Sequence, residues 1–289
     1  MPPTPADFAK RIKGILRSVQ LLPDEAKAPI LHYRRTVADI SGSLGYVERL
    51  VAERDRYQSV VDRHLGRLYG MALVNLVETF ERYLKEVAAE CVDRLADLVL
   101  DDRFNEFPVH GASLASHFGS GSAGKALCES SVWLNCKEIN DRFRKLLSDP
   151  LKPGTFYLFP KEAGQQPGAQ IWRYELITLI WQIRNTSVHN VGVITRSDAV
   201  KLRVLAKTPV DAPTMLVPTK TDLRWLKTFL DETTADCNSR IGTRLAELLT
   251  TIHAESGGPF QPQEMANLVS AAFRNPLQVA GAMGIVPPD

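Results

Sequence analysis

The sequence predicts an all-α protein, on three observations. Apolar residues recur at spacings of three and four over long stretches, most clearly from Ala72 to Leu100 and from Asp222 to about His253. That is the period of a helix with one buried face. The segments between these stretches carry the glycine, proline and serine clusters that break helices. Finally, β-prone sequence is confined to a small region after His189, read as a hairpin.

In chain order, Met1 to Pro5 is too proline-rich to hold a helix, and Asp7 can cap one that carries Phe8, Ile12, Ile15, Leu16 and Val19. Leu22-Pro23-Asp24-Glu25 reads as a break and a fresh start, with Pro29 tolerated in the first turns. A long helical pattern runs from about Leu44 to Leu68, with a charged face between its apolar residues. Gly66 and Gly70 weaken helix and mark a join or a close helix–helix approach. The stripe Leu73, Leu76, Val77, Phe80, Leu84, Val87, Cys91, Leu95 and Leu98 is the strongest helix signal in the chain.

Residues 101–125 read as loop, and Cys136 to Leu147 as a helix stopped by Asp149-Pro150. Gly154 to Gly168 is a second loop, with an apolar patch at Phe156 to Phe159. The stretch Tyr174 to Asn190 opens as an amphipathic helix on Leu176, Leu179, Ile180 and Ile183 and ends in a polar cluster. Val191 to Ile194 is short and β-prone, and Lys201–Lys207 with Thr214–Val217 form the predicted hairpin. The helix from Asp222 closes at Gly257-Gly258-Pro259, and short helices follow over Gln263–Arg274 and Pro276–Met283. The resulting division is an N-terminal helical extension over 1–65, a main helical domain over 66–254, and a loosely attached tail over 255–289.

At 289 residues the chain can bury one sizeable core with appended elements. A net charge of +2 is too near neutral to argue nucleic-acid binding from the whole chain, so any basic footprint is local. The four cysteines show no C-x-x-C pairing and read as buried reduced thiols. No apolar run has transmembrane length, and the N-terminus lacks a signal peptide's apolar core. A cytoplasmic location without membrane contact is expected.

Two short patterns resemble sites and fail on chemistry. Gly119-Ser120-Gly121-Ser122-Ala123-Gly124-Lys125-Ala126 approaches a phosphate-binding loop, but Ala126 lacks the hydroxyl that would meet Mg²⁺. His110, His117, Cys128 and Cys136 match no common zinc spacing. No cofactor and no metal are expected, and no common hydrolase signature occurs.

The polar cluster Arg184-Asn185-Thr186-Ser187-Val188-His189-Asn190 carries the functional reading. An arginine followed some residues later by histidine is weak alone, and Arg103 to His110 is a chance match of that sort. The cluster at Arg184 differs by its Arg-x4-His spacing, its adjacent amide Asn185 and the core helix it closes. Arg184-Asn185-Thr186-Ser187-Val188-His189 resembles the R-N-x-x-x-H signature of the HEPN superfamily, and His189-Asn190-Val191-Gly192 resembles a continuation common in its stand-alone bacterial branches. Phe80-Glu81-Arg82-Tyr83-Leu84 and Asn135-Cys136-Lys137-Glu138-Ile139-Asn140 resemble further segments of its RiboL-PSP and MAE-like branches. The resemblance spans about Leu68 to Val193. It implies an up-and-down helical bundle that dimerises and cleaves RNA without a metal at a cleft between subunits. It further implies a toxin or phage-defence role, with an antitoxin or defence-system partner.

Those residue types suit the chemistry. Histidine moves protons near neutral pH, which attack by a ribose 2′-OH requires. A guanidinium contacts phosphate oxygens in a planar, bidentate way as charge develops. His189 is therefore expected as general base or acid, Arg184 as phosphate binder, and Asn185 as the group that orients either. Glu81 and Asn190 stand as supporting residues. Five positions on a regular helix separate side chains by roughly 140°, so one straight helix presents Arg184 and His189 poorly together. A second subunit, the reach of arginine or a frayed last turn must close that gap. The alternatives are a non-catalytic module that binds RNA or nucleotide or partners an antitoxin, and cations that merely cap a helix end. For Glu81 the alternative is a local ion pair.

Overall fold

A computed structural model describes residues 28–54, 58–96, 98, 101–105, 107, 122–129, 133, 135–148, 156–161, 171–207, 209–258, 260–275 and 277. Its helices, in chain order, are α1 (Pro29–Arg54), α2 (Gln58–Leu95), α3 (Ala123–Glu129), α4 (Cys136–Leu147), α5 (Ile171–His189), α6 (Arg196–Ala206), α7 (Lys220–Glu255) and α8 (Pro262–Phe273). Two strands of two residues each, β1 (Val193–Ile194) and β2 (Thr214–Met215), flank α6. The fold is all-α. None of the described helices is long and apolar enough to cross a membrane.

The long helices α2 and α7 lie against each other at the centre. The stripe expected on α2 is buried from Leu73 to Leu95, with Leu76, Val77, Phe80, Leu84, Val87, Cys91 and Leu95 all nearly inaccessible, but its last member, Leu98, lies beyond the end of the helix and is exposed. From α7, Leu226, Leu230, Cys237, Ile241 and Leu245 meet them in one core cluster. Removing such side chains from water is the main stabilising term, about 1.5–3 kcal/mol each. Polar links set the register of the packing. The Tyr83 hydroxyl donates to the Thr234 carbonyl at 3.3 Å, and Tyr33 on α1 donates to Asp231 at 3.0 Å.

One main core takes in both ends of the described chain. Ile30, Tyr33 and Val37 of α1 belong to it, as do Met265, Ala266, Val269 and Phe273 of α8. The expected boundary at residue 65 falls inside the continuous helix α2, and the expected tail packs through α8 onto α7. Asn238 donates to the Phe273 carbonyl at 2.6 Å, which ties the end of α8 to the core. The amphipathic period gave the faces but not the joins. Helix α1 is described to Arg54 and α2 from Gln58, and α2 runs through Gly66 and Gly70. Gly66 marks a close approach instead, since a Cβ there would lie 2.6 Å from the Val217 methyl Cγ1.

The region after the motif helix differs from its expected form. Val193 and Ile194 pair antiparallel with Met215 and Thr214. Lys201 to Lys207, expected as the partner strand, belongs mostly to α6. The alternation Lys201-Leu202-Arg203-Val204 suggested period two, yet only Leu202 of its apolar pair is buried and Val204 is exposed. Thr195 and Asp198 decide the matter with a reciprocal capping box, which satisfies amide donors at the helix start. Helix α4 spans the expected residues, with Asn135 as its cap. The expected helices over 8–19 and 276–283 lie outside the described residues, apart from Leu277.

Candidate functional site

Helix α5 is apolar on two sides because it is covered on two sides. Ile177, Ile180 and Trp181 are buried in the main core. Leu179 and Ile183 pack on a second small cluster of Ile194, Ala199 and Leu202. The expected single stripe is therefore two stripes, and the helix is clamped between α2 and α6. This fixes the orientation of its polar C-terminal end.

Arg184 leaves α5 toward α2. Its Nη2 donates to Glu78 Oε1 at 2.7 Å, and its Nη1 donates to Asn185 Oδ1 at 3.2 Å. The Arg184 side chain is only 13% exposed while that of Glu78 is 45% exposed, so the pair sits at a rim with the guanidinium on the inner side. Arg184 Nε is buried and has no acceptor among the described residues. A buried donor without a partner costs about 1–3 kcal/mol, which an incoming acceptor would recover.

His189 is the last residue of α5 and is exposed to solvent, with no hydrogen bond to a described residue. α5 is regular through this point, so Arg184 and His189 diverge by roughly 140° around its axis. Neither side chain hydrogen-bonds to the carbonyls that end the helix. The backbone serves one of them: the Thr186 carbonyl accepts from Asn190 N at 3.1 Å and from Gly192 N at 3.3 Å. The turn passes through two left-handed residues, Val191 at φ 50° and Gly192 at φ 81°. Glycine adopts that region without strain, whereas a β-branched valine does so at a cost.

Asn190 is tied down. Its Nδ2 donates to Asp198 Oδ2 at 2.7 Å, and Gln182 donates to the other Asp198 oxygen at 3.2 Å. Asp198 thus links α5, and the turn just after it, to the start of α6. Burial pushes its carboxyl pKa up, but hydrogen bonds from Thr195 and Asn190 and the nearby Lys201 charge outweigh this and hold it below the usual carboxylate range.

Glu81 does not join this group. It pairs with Lys85 one turn along α2, at 2.9 Å. The acidic partner of Arg184 is Glu78, three residues earlier. The sequence pattern gives neither Glu78 nor Asp198 a role. The Thr195-x-x-Asp198 spacing is the signal that could have found the latter.

The other sequence patterns have structural uses. Arg103 donates to the carbonyls of Lys145, Leu146 and Ser148, capping the end of α4. The amides of Gly124 and Lys125 are occupied by Asp93 and Ser122, so they are not free to cradle a phosphate. Asn140 is buried and exchanges hydrogen bonds with the backbone of Phe159. His110 and His117 lie outside the described residues. Among the described residues, no group of three His, Cys, Asp or Glu could hold a metal ion. All four cysteines are buried free thiols. Burial pushes Cys136 and Cys237 up to about 12, which keeps them protonated and unreactive.

Comparison with protein-family models, with curated proteins and with solved structures finds no match to this chain.

Proposed function

We propose that this chain is a metal-independent endoribonuclease of the HEPN type, acting in the cytoplasm as a homodimer in toxin or phage-defence systems. The observation that carries the reading is the end of α5. There a guanidinium with a buried, unpartnered donor and an unencumbered histidine sit on one clamped helix. In the reaction His189, or its copy in the second subunit, takes the proton of the ribose 2′-OH. The 2′ oxygen attacks phosphorus, the bond to the 5′ oxygen breaks, and that oxygen is protonated as it leaves. Arg184 binds the phosphate oxygens on which charge accumulates. Asn185 orients Arg184 through their hydrogen bond, and Glu78 holds the guanidinium from α2. Asn190 holds the turn that carries His189 through Asp198.

The dimer is supported by surface as well as by spacing. Val188, Val191, Val193 and Met215 are exposed beside the motif, and apolar groups gathered near a site suit an interface. The expected antitoxin or defence partner belongs to the same proposal.

A second reading, RNA binding without cleavage, is favoured by the Arg184–Glu78 ion pair, which already engages the guanidinium. Purified protein incubated with RNA in excess EDTA separates the two. Wild type should cleave, leaving cyclic phosphate ends, while Arg184→Ala and His189→Ala should each lose on the order of 100-fold or more of the rate. Expression of wild type should arrest bacterial growth and that of either variant should not. RNA left intact by wild type sinks the nuclease reading, and RNA bound but uncut selects the second.

A further inference from the structure

Beside the motif lies a groove of about 240 Å³ that the proposed reaction leaves unused. It opens where α2, α5 and α7 meet the segment after β2. Leu73, Ile180, Ile183, Val217, Trp225 and Leu226 line it. Resting on the ribonuclease reading, we propose that this groove is a nucleobase subsite in which Trp225 stacks on a base next to the phosphate held by Arg184.

Trp225 is 51% exposed, an unusual position for so large an apolar ring. Its indole is not free to swing. It stacks parallel on Phe229, one helical turn on, with ring centroids 5.5 Å apart and planes 1° from parallel. Phe229 is itself buried, so the stack is anchored in the core. A flat π surface is therefore held ready, and little ordering cost remains to be met on binding.

The groove reaches the motif along α5. Ile180 on its wall and Arg184 are i, i+4, so they share a helix face about one turn apart, about 6 Å along the axis. A nucleotide carries a flat ring and an anion a few ångströms from each other. An anchored indole on an apolar floor, with a guanidinium one turn away, matches that pairing. Stacking on tryptophan is tolerant of base identity because every base has a π face. The subsite thus supplies grip on single-stranded RNA, with base choice left to other contacts.

The test uses the full chain carrying His189→Ala, so that bound RNA is not cut. A fluorescein-labelled single-stranded 12-mer RNA and an abasic strand of the same length are titrated by anisotropy. Adding Trp225→Ala should weaken the RNA complex by about 5- to 100-fold. Trp225→Phe should restore it to within about threefold, and the abasic strand should bind both backgrounds equally. Thermal melts of the two Trp225 variants should match the parent.

The proposal falls if Trp225→Ala binds RNA as tightly as its parent, or if the abasic strand is weakened as much as the RNA. If in that case Arg184→Ala still abolishes RNA binding, the ribonuclease reading survives without the subsite. If the His189→Ala parent binds no RNA at all, both fall. A shift from dimer to monomer in Trp225→Ala on size exclusion makes the groove a subunit interface and also overturns the proposal.

Discussion

Arg184 and Glu78 are 106 residues apart in the chain and 2.7 Å apart in the fold. The contact joins the end of α5 to the middle of α2, and it aims the guanidinium. Because Glu78 is nearly half exposed, solvent screens the pair and its share of stability is small, about 0.2–1 kcal/mol. Its value is orientation. Glu78→Ala should lower kcat for RNA cleavage about tenfold or more with KM little changed, and Glu78→Asp should recover part of the loss. A steady-state comparison with a denaturant melt separates the two effects. A large loss of stability with unchanged kcat would make the pair a structural brace only.

Arg103 provides the converse case. It caps α4 through three carbonyls and lies in the second Arg–His match of the sequence. Arg103→Ala should cost about 1–3 kcal/mol of stability, read by urea unfolding, and should leave RNA cleavage unchanged at a temperature where the variant is folded. Loss of cleavage in the folded variant would mean that the assignment of the two arginines is reversed.

Asp198 predicts a pH dependence with a definite sign. Its folded-state pKa is lowered, so its contribution to stability is fully present above the ordinary carboxylate pKa. That contribution is lost as the pH falls through the lowered folded-state value. The stability gap between wild type and Asp198→Asn should therefore be constant near neutrality and shrink below about pH 4. Equilibrium unfolding between about pH 2.5 and 7, taken as a difference between the two proteins, measures it. A gap that widens on acidification contradicts the assigned sign.

Cys91, Cys128, Cys136 and Cys237 are all buried and unpaired. The folded protein should react with an aromatic disulfide reagent only at the rate of its unfolding, and all four thiols should react at once in denaturant. Rapid labelling of the native protein would show that one of the four is accessible.

Much of the fold was legible because local periodicity reports which face is buried. The α2 stripe from Leu73 to Leu95, the α4 span from Cys136 to Leu147 and the closing helix from Pro262 all follow from spacing and caps. Periodicity was silent where two sides are covered. Helix α5 reads as one stripe, yet Leu179 packs on a different cluster from Ile177 and Trp181, and Ile183 touches both. It misled where the four residues Lys201 to Val204 alternated by chance, and the Thr195–Asp198 box outweighed that alternation.

The residue types at the candidate site, Arg184, Asn185, His189 and Asn190, were readable as a pattern along one helix. Their partners were not. Glu78 and Glu81 stand three apart on α2, so the sequence alone puts them on one side of that helix. Glu81 is satisfied locally by Lys85, since i, i+4 geometry brings them together in any helix. Glu78 meets Arg184 only because α2 and α5 cross where they do, a consequence of how their buried faces pack. Local sequence determines helix faces and ends, because those depend on neighbours within a turn or two. Which carboxylate aims the arginine, and which aspartate holds the turn after His189, depends on contacts between distant elements, and only the packed structure decides them.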